Sequence, residues 1–505
     1  MLRNVCACVG FVILVLVLII LVRTATFSVR SDSVRSCRLT DSDFIRATDG
    51  VIGKFQSALR FKTISTNLHQ YDRAELQKMV DFVQSAFPVI HSSTLVTHDV
   101  VNNYSLLYKV QGSNPALRPY MLCAHLDVVP VNRDAWEEDP FGANIKDGFI
   151  YARGTIDVKQ IVMGVMEATE FLLKSGHVPK RTFYIAFGHD EEVTGLDGAA
   201  KISELLYSRG VRDLEFLIDE GTTIVNKLFP GVNIPIAVVG TSEKGSLSLE
   251  LSVNGVPGHS SMPEGETTIA TLARAITRLE ENPHPNMFGT GPEKDLFTHL
   301  ASDLSLPFRA VVSNLWLFGP VVSRLFSRIP SLNAIVRTVT SVTMVNGGVK
   351  VNVLPPSATA MVNHRIHPAQ TVKEVMEYDR KLINDERVKI RVVSSMEPHP
   401  MSPYGDEDFG YQTIKNSIRQ IWGNATVVPG VMIGNTDTVH YIRFTKNIYR
   451  FSPTFMFPED LKRFHGNNER ISVQNYEQVI NFYYHLLVNA DEGTLPPFHK
   501  HNDEL

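Results

Sequence analysis

No stretch of this 505-residue sequence concentrates lysine or arginine, and 49 basic against 53 acidic residues leave a formal net charge of −4. A surface for nucleic acid needs a basic patch to meet phosphates, so nucleic acid is not an expected partner. Cysteine is scarce too: of the four present, Cys6 and Cys8 fall in the apolar N-terminal run, leaving Cys37 and Cys123. That number excludes a disulfide framework, so the fold must rest on its core, with metal as a further support. No internal repeat or low-complexity tract is evident, which argues against a repeat architecture.

The chain is too long for one ordinary core, so two or more domains are expected. Its 44% apolar and 20% charged residues are the balance of a globular protein. The N-terminus differs. Arg3 precedes an unbroken apolar run from Val5 to Val22, and Arg23 closes it. Residues 1–25 therefore read as a secretory signal, with a small-residue cleavage context near Ala25. The run is also just long enough to span a bilayer, so a retained membrane anchor is the alternative. Residues 26–44 read as a polar, disordered tail. Asn103-Tyr-Ser105 and Asn424-Ala-Thr426 are glycosylation acceptors in a lumenal or secreted chain. The expected location is extracellular, but Asn502-Asp-Glu-Leu505 is similar to the Lys-Asp-Glu-Leu retrieval signal and admits the endoplasmic reticulum lumen.

Beyond residue 45 the pattern alternates. Helices are predicted over Asp72–Phe87, Gln160–Lys174 and Ala199–Ser208. Buried strands are predicted at Tyr120–Ala124, Arg181–Phe187 and Leu214–Ile218. This is the rhythm of an α/β domain with a mostly parallel sheet. Near Gly240 the texture changes to a β-α-β-β-α-β order, which predicts a small ferredoxin-like α+β domain with an antiparallel sheet. The α/β rhythm resumes near residue 400. The expected organisation is thus a catalytic domain in two parts, 45–239 and 399–505, with an inserted lid over 240–398.

Five short segments at the ends of strand-like runs carry candidate ligands, where open α/β sheets place their sites. They are Ala124-His125-Leu-Asp127, Gly154-Thr-Ile-Asp157, Gly188-His-Asp-Glu191-Glu192, Ile218-Asp219-Glu-Gly221 and His465-Gly-Asn-Asn-Glu469. Imidazole and carboxylate together suit Zn²⁺. On a strand, residues two apart share a face, so Asp127 can orient the His125 imidazole.

These segments resemble the aminoacylase/carboxypeptidase family of di-zinc exopeptidases. The resemblance implies two zinc ions per chain. It places His125 and Asp219 on one, Glu192 and His465 on the other, and Asp157 between both. It implies that Glu191 is the general base and Asp127 the residue behind His125. In the lid, Gly258-His259-Ser-Ser matches a histidine that stabilises the oxyanion, often from a partner subunit, so a homodimer through the lid is implied. Asn352 and Arg365 match positions that hold the substrate's carboxylate. Gly434, Asn435 and Thr436 match a substrate-facing loop.

The lid also holds an apolar stretch, 307–329, and no Asp or Glu occurs from Leu304 to Lys373. Arg309, Arg324, Arg328, Arg337, Lys350, Arg365 and Lys373 lie within those bounds. Such a lid suits an anionic amphiphile and could also touch a lipid particle or membrane surface. In whole-chain character the sequence is similar to the family members that join long-chain fatty acids to amino acids and cleave the N-acyl amino acids formed. A lumenal carboxypeptidase or dipeptidase is the alternative enzyme. An inactive lipid-binding relative is the alternative of another class.

Overall fold

The structure, a computed structural model, describes residues 2–27, 37, 41, 43–227, 232–263 and 265–491. Most of the expected 26–44 tail and the 502–505 retrieval-like tetrapeptide lie outside the described residues.

An eight-stranded mixed sheet forms the larger layer. Its strands run, from one edge, Thr426–Met432, Pro235–Glu243, Ile448–Met456, Leu217–Asn226, Tyr120–His125, Phe183–Gly188, Ser105–Val110 and Val96–Val101. The middle strands pair in parallel, and the last two are antiparallel. Tyr120–His125 and Phe183–Gly188 are buried at every position, as strands covered on both faces must be. Tyr120, Leu122 and Ala124 face a core shared with helices Lys159–Lys174 and Val473–Ala490. Met121 and Cys123 face the other side, against Ile202 and Leu206 of helix Ala199–Ser208.

The predicted lid sheet is four-stranded and wholly antiparallel, in the order Val339–Gly347, Ser357–Ile366, Gly245–Asn254, Val388–Met396. Along Gly245–Asn254 burial alternates residue by residue. Leu247, Leu249, Leu251 and Val253 face helices Thr268–Glu281 and Val372–Ile383. The chain leaves the large sheet at Lys244, slightly beyond the change of texture at Gly240. Strand Pro235–Glu243 runs straight through that glycine, paired with Thr426–Met432 as far as Glu243. Gly240 faces Arg450 of the neighbouring strand, where a Cβ would come within 3.2 Å of the Arg450 Cβ and carbonyl oxygen. The glycine thus marks a close approach and not a strand end.

The apolar 307–329 stretch folds into helices Leu306–Val312 and Leu315–Phe326, followed by Pro330–Val336. Just before them, helix Glu293–Leu300 packs Leu296 and Leu300 onto Ile236 and Val428 at the edge of the large sheet. Phe326 turns inward against Phe288 and Phe297, and Val322 is buried. Leu306, Phe308, Trp316, Val321 and Leu325 stay exposed. The N-terminal run forms one helix, Leu2–Thr26, long and apolar enough to cross a membrane. Among the described residues, it meets the lid helices near its C-terminal end. Asn314 donates to the Thr24 hydroxyl at 3.3 Å, Arg23 to the Ser313 carbonyl at 3.3 Å and Arg309 to the Phe27 carbonyl at 3.0 Å. Thr24, Ser313 and Asn314 are buried at this junction.

Candidate metal centre

His125 closes the Tyr120–His125 strand, fully buried. Its Nδ1 lies 3.3 Å from an Asp127 carboxylate oxygen and 3.0 Å from the Asp127 carbonyl, so Nε2 is the nitrogen turned outward. Asp127 also accepts the backbone N–H groups of Glu191, at 3.1 Å, and Glu192, at 3.3 Å. One buried residue is therefore in contact with His125, Glu191 and Glu192 together.

Asp157 lies at the middle of the arrangement. One carboxylate oxygen is 3.2 Å from His125 Nε2, and the other is 3.0 Å from His465 Nε2. Glu192 approaches His465 Nε2 at 3.2 Å. Glu220 approaches His125 Nε2 at 3.2 Å, and Glu191 stands behind at 3.9 Å. Two overlapping donor groups result: His125, Asp157 and Glu192, and His125, Glu191 and Glu220.

Asp219, the expected ligand, is not part of these groups. Its Oδ1 accepts the backbone N–H of Glu220 at 2.8 Å, while the Glu220 side chain faces His125. Adjacent residues on a strand point to opposite faces, so only one of the two acids can face the site. Here that acid is Glu220.

Burial and mutual repulsion raise the acids. Glu192 is pushed to about 7, by burial and then Asp157, and Glu220 to about 8 by burial. Burial and the Glu220 carboxylate hold Glu191 well above the usual carboxylate range. Burial would raise Asp157 too, but the imidazoles at its two oxygens hold it well below that range. His465 is pushed up to about 10 by Asp157 and Glu192. A buried crowd of carboxylates with two imidazoles is costly without a cation. Glu192 Oε1 is buried with no hydrogen-bond partner, and so, outside the two donor groups, is Asp219 Oδ2. The donor set fits metal ions on both sides of Asp157.

Three supporting acids escaped the sequence reading. Glu469 takes the backbone N–H groups of Ile156 and Asp157 at 2.8 and 3.3 Å and pairs with Arg153 at 2.7 Å, fixing the turn that presents Asp157. Asp437 sits over Gly188 and Gly195. A Cβ at Gly195, whose φ is +67°, would fall 2.0 Å from an Asp437 oxygen, so only glycine fits there. Glu243 is buried against Arg450 at 2.9 Å and accepts from Asn435, Thr436 and Thr438. The Glu469 and Asp437 segments were visible as motifs. Glu243 carried no signal beyond its place before the hinge.

The lid residues divide. Arg365 reaches the 434–436 loop, where its guanidinium donates to the Asn435 side chain. The Thr436 hydroxyl donates to Glu243 at 2.7 Å, which ties the loop to that buried carboxylate. Gly434 follows on the half-buried rim of the same turn. His259 and Asn352 lie together at the small two-stranded antiparallel ribbon of Gly258–His259 and Val353–Leu354 and are exposed. Among the described residues no hydrogen bond or ion pair joins either to the metal centre.

Residues 121–489 match the family model described as Peptidase family M20/M25/M40. The chain is 45% identical to N-fatty-acyl-amino acid synthase/hydrolase PM20D1 of Xenopus tropicalis, over 98% of this chain and 96% of that one. It is 46% identical to the Mus musculus protein of the same name, over 88% and 89%. Two solved structures share the fold. The M20 family metallo-carboxypeptidase Sso-CP2 from Sulfolobus solfataricus gives a TM-score of 0.66 at 16% identity, over 88% of this chain and all of that one. Human carnosine dipeptidase 1 gives 0.60 at 15% identity, over 88% and 96%. On the family match, the relatives and the fold together, this chain belongs to the M20/M25/M40 peptidase family.

Proposed function

We propose that the chain condenses long-chain fatty acids with amino acids and hydrolyses the resulting N-fatty-acyl amino acids, using two zinc ions. The observation that carries the reading is Asp157, whose two oxygens face different histidines from different parts of the chain. In this assignment one ion lies among His125, Asp157 and Glu220, the other among Asp157, Glu192 and His465. Zinc in those positions supplies Lewis acidity, polarising the scissile carbonyl and making a nearby water nucleophilic at neutral pH.

The chain's own residues do the rest. Asp127 holds the His125 ring and the Glu191–Glu192 backbone still. Glu191, buried beside the cluster, accepts a proton from water and delivers it to the leaving nitrogen. Water and amide become fatty acid and amine. The reverse passage uses the same groups, and concentrations set the direction. Arg365 pairs with the amino-acid carboxylate in a fork that only arginine offers. His259 and Asn352, unattached within one chain, are assigned to the site of a second copy, which makes the enzyme a dimer through the lid.

The exposed apolar helices at Leu306–Phe326 are assigned to the acyl chain and to contact with a lipid particle or membrane. Arg309, Arg324 and Arg328 lie on the same segment to meet anionic groups. The apolar helix Leu2–Thr26 takes the chain into the secretory pathway, where Asn103 and Asn424, both exposed, are glycan acceptors.

The deciding experiment measures zinc per chain together with turnover of an N-oleoyl amino acid beside a dipeptide. Two equivalents of zinc and preference for the acyl substrate are expected. Preference for the dipeptide would favour the carboxypeptidase reading, and a zinc-loaded chain inert on both would leave a lipid-binding relative.

A further inference from the structure

The lid contains three polar residues where its pattern reserves apolar ones. On strand Ser357–Ile366 the inward positions are Ala358, Ala360, Val362, His364 and Ile366. On helix Val372–Ile383 the buried positions are Val375, Asp379 and Ile383. His284, in the segment after helix Thr268–Glu281, is also buried. All three are no more than 1% exposed, and they meet. His364 Nε2 is 2.9 Å from one Asp379 oxygen, and His284 Nε2 is 3.5 Å from the other.

Distance alone would suit a hydrogen-bonded triad, but direction does not. His364 Nε2, both Asp379 oxygens and both nitrogens of His284 have no properly aligned hydrogen-bond partner, although all are buried. Buried donor atoms this close together and left unpaired are a donor set that a cation would satisfy. The two imidazole planes stand at 89°, with ring centroids 5.7 Å apart. A tetrahedral zinc with ligand bonds of about 2.0–2.1 Å would separate its ligand atoms by roughly 3.3 Å, between the two distances seen here. One donor atom from each residue lies within 4.8 Å of the others. The Thr340 hydroxyl lies 3.1 Å from His364 Nδ1 and can accept its proton, which leaves Nε2 its lone pair.

We propose that His284, His364 and Asp379 bind a divalent transition-metal ion, zinc by ligand type, at a structural site inside the lid. Two imidazoles and one carboxylate exclude the hard oxygen-seeking cations. The ion would be taken up as the lid folds, since the donors are sealed from solvent. It ties a segment, a strand and a helix together directly behind Arg365, the residue after His364 on the opposite face. The site does not depend on the reading of the catalytic centre, which shares none of its residues.

The test uses the full chain carrying Asp157→Ala and His465→Ala, purified in zinc without chelator, with metal counted per chain. The expected result is one retained equivalent, which disappears when His364→Phe is added. A chain already free of metal before His364→Phe, or one whose metal survives it, overturns the proposal. If the combined variant does not fold, anomalous diffraction at the zinc edge on crystals of the unaltered chain decides. A peak within about 2.0–2.2 Å of all three donors supports the site, and no peak overturns it.

Discussion

Replacing Glu220 by Gln and Asp219 by Asn, separately, puts the division of labour in the fourth motif to the test. The structure gives the two neighbours different jobs. The Glu220 carboxylate stands 3.2 Å from His125 Nε2, the same distance as Asp157. Asp219 accepts the Glu220 N–H at 2.8 Å and holds the backbone that presents it. Removing one charge from a buried, paired arrangement costs about 3–5 kcal/mol, which corresponds to about 10²–10⁴ in metal affinity. Removing a group that only orients a ligand costs about 10–100-fold. Glu220→Gln should therefore bind the metal near His125 about 10²–10⁴ more weakly, and Asp219→Asn no more than about 100-fold. Competition against a chelating indicator, with circular dichroism to show that both variants are folded, reads the difference. Equal losses, or the larger loss in Asp219→Asn, would refute the assignment and return Asp219 to the metal.

Glu191→Gln should lower kcat by about 10²–10⁴ with both metals kept; metal loss in that variant would mean that Glu191 and Glu192 have exchanged roles. Arg365→Lys should lower kcat/KM for N-acyl amino acids and leave the corresponding amides nearly untouched, since only the free carboxylate uses the fork. Each added acyl CH₂ should raise kcat/KM about fourfold until the apolar surface is filled, at about 0.8 kcal/mol per CH₂, and polar substitutions at exposed Trp316, Val321 and Leu325 should flatten that rise. Stability should fall in mild acid through His367, whose imidazole burial and then Lys244 depress to about 4 from 6.5. Its Nδ1 accepts the Ala369 N–H at 3.1 Å, which a protonated ring cannot do. Because the folded value lies below the unfolded one, the contribution is complete above pH 6.5 and lost as pH falls toward 4. The loss is about 3 kcal/mol at most. Chemical denaturation at stepped pH measures it, and a His367→Asn chain with the same acid slope would contradict this account.

The large sheet was legible because its central strands are buried on both faces and so spell continuous apolar runs, as Tyr120–His125 does. The lid sheet was legible for the opposite reason. One face of Gly245–Asn254 is half-buried, and serine alternates with leucine and valine. The change of texture near Gly240 does not coincide with a strand end, because that glycine lies inside Pro235–Glu243 and admits the neighbouring Arg450. The 307–329 stretch showed its hydrophobicity but not its partition. Val322 and Phe326 face inward, Trp316 and Val321 outward, and that division depends on Phe288 and Phe297, which arrive from the preceding segment.

In the site, legibility followed the number of residues a motif needs to act. His125 and Asp127 lie two residues apart, so their spacing alone suggested the contact, although the strand itself ends at His125. Asp157, His465 and Glu192 come from distant segments, and their juxtaposition rested on resemblance until the fold placed them within 3.2 Å of one another's donors. Asp219 and Glu220 show where periodicity runs out. Alternation says that two neighbouring acids point apart, but not which one points in, because that depends on the phase of a strand set by its partners. The Ile448–Met456 strand sets it here. Tyr449 pairs with Ile218 and Arg450 with Asp219, and the register then slips before Phe451 meets Thr222. That irregularity falls on Glu220 and Gly221. Gly221, at φ +155°, lies where a Cβ would come within 2.6 Å of the Arg450 side chain. A larger residue there would push the strands apart at the slip. The identity of the inward acid is thus a property of the Arg450 approach, and Arg450 is in turn held by Glu243. A buried ion pair where the lid begins and the choice of the carboxylate that faces His125 are parts of one packing arrangement.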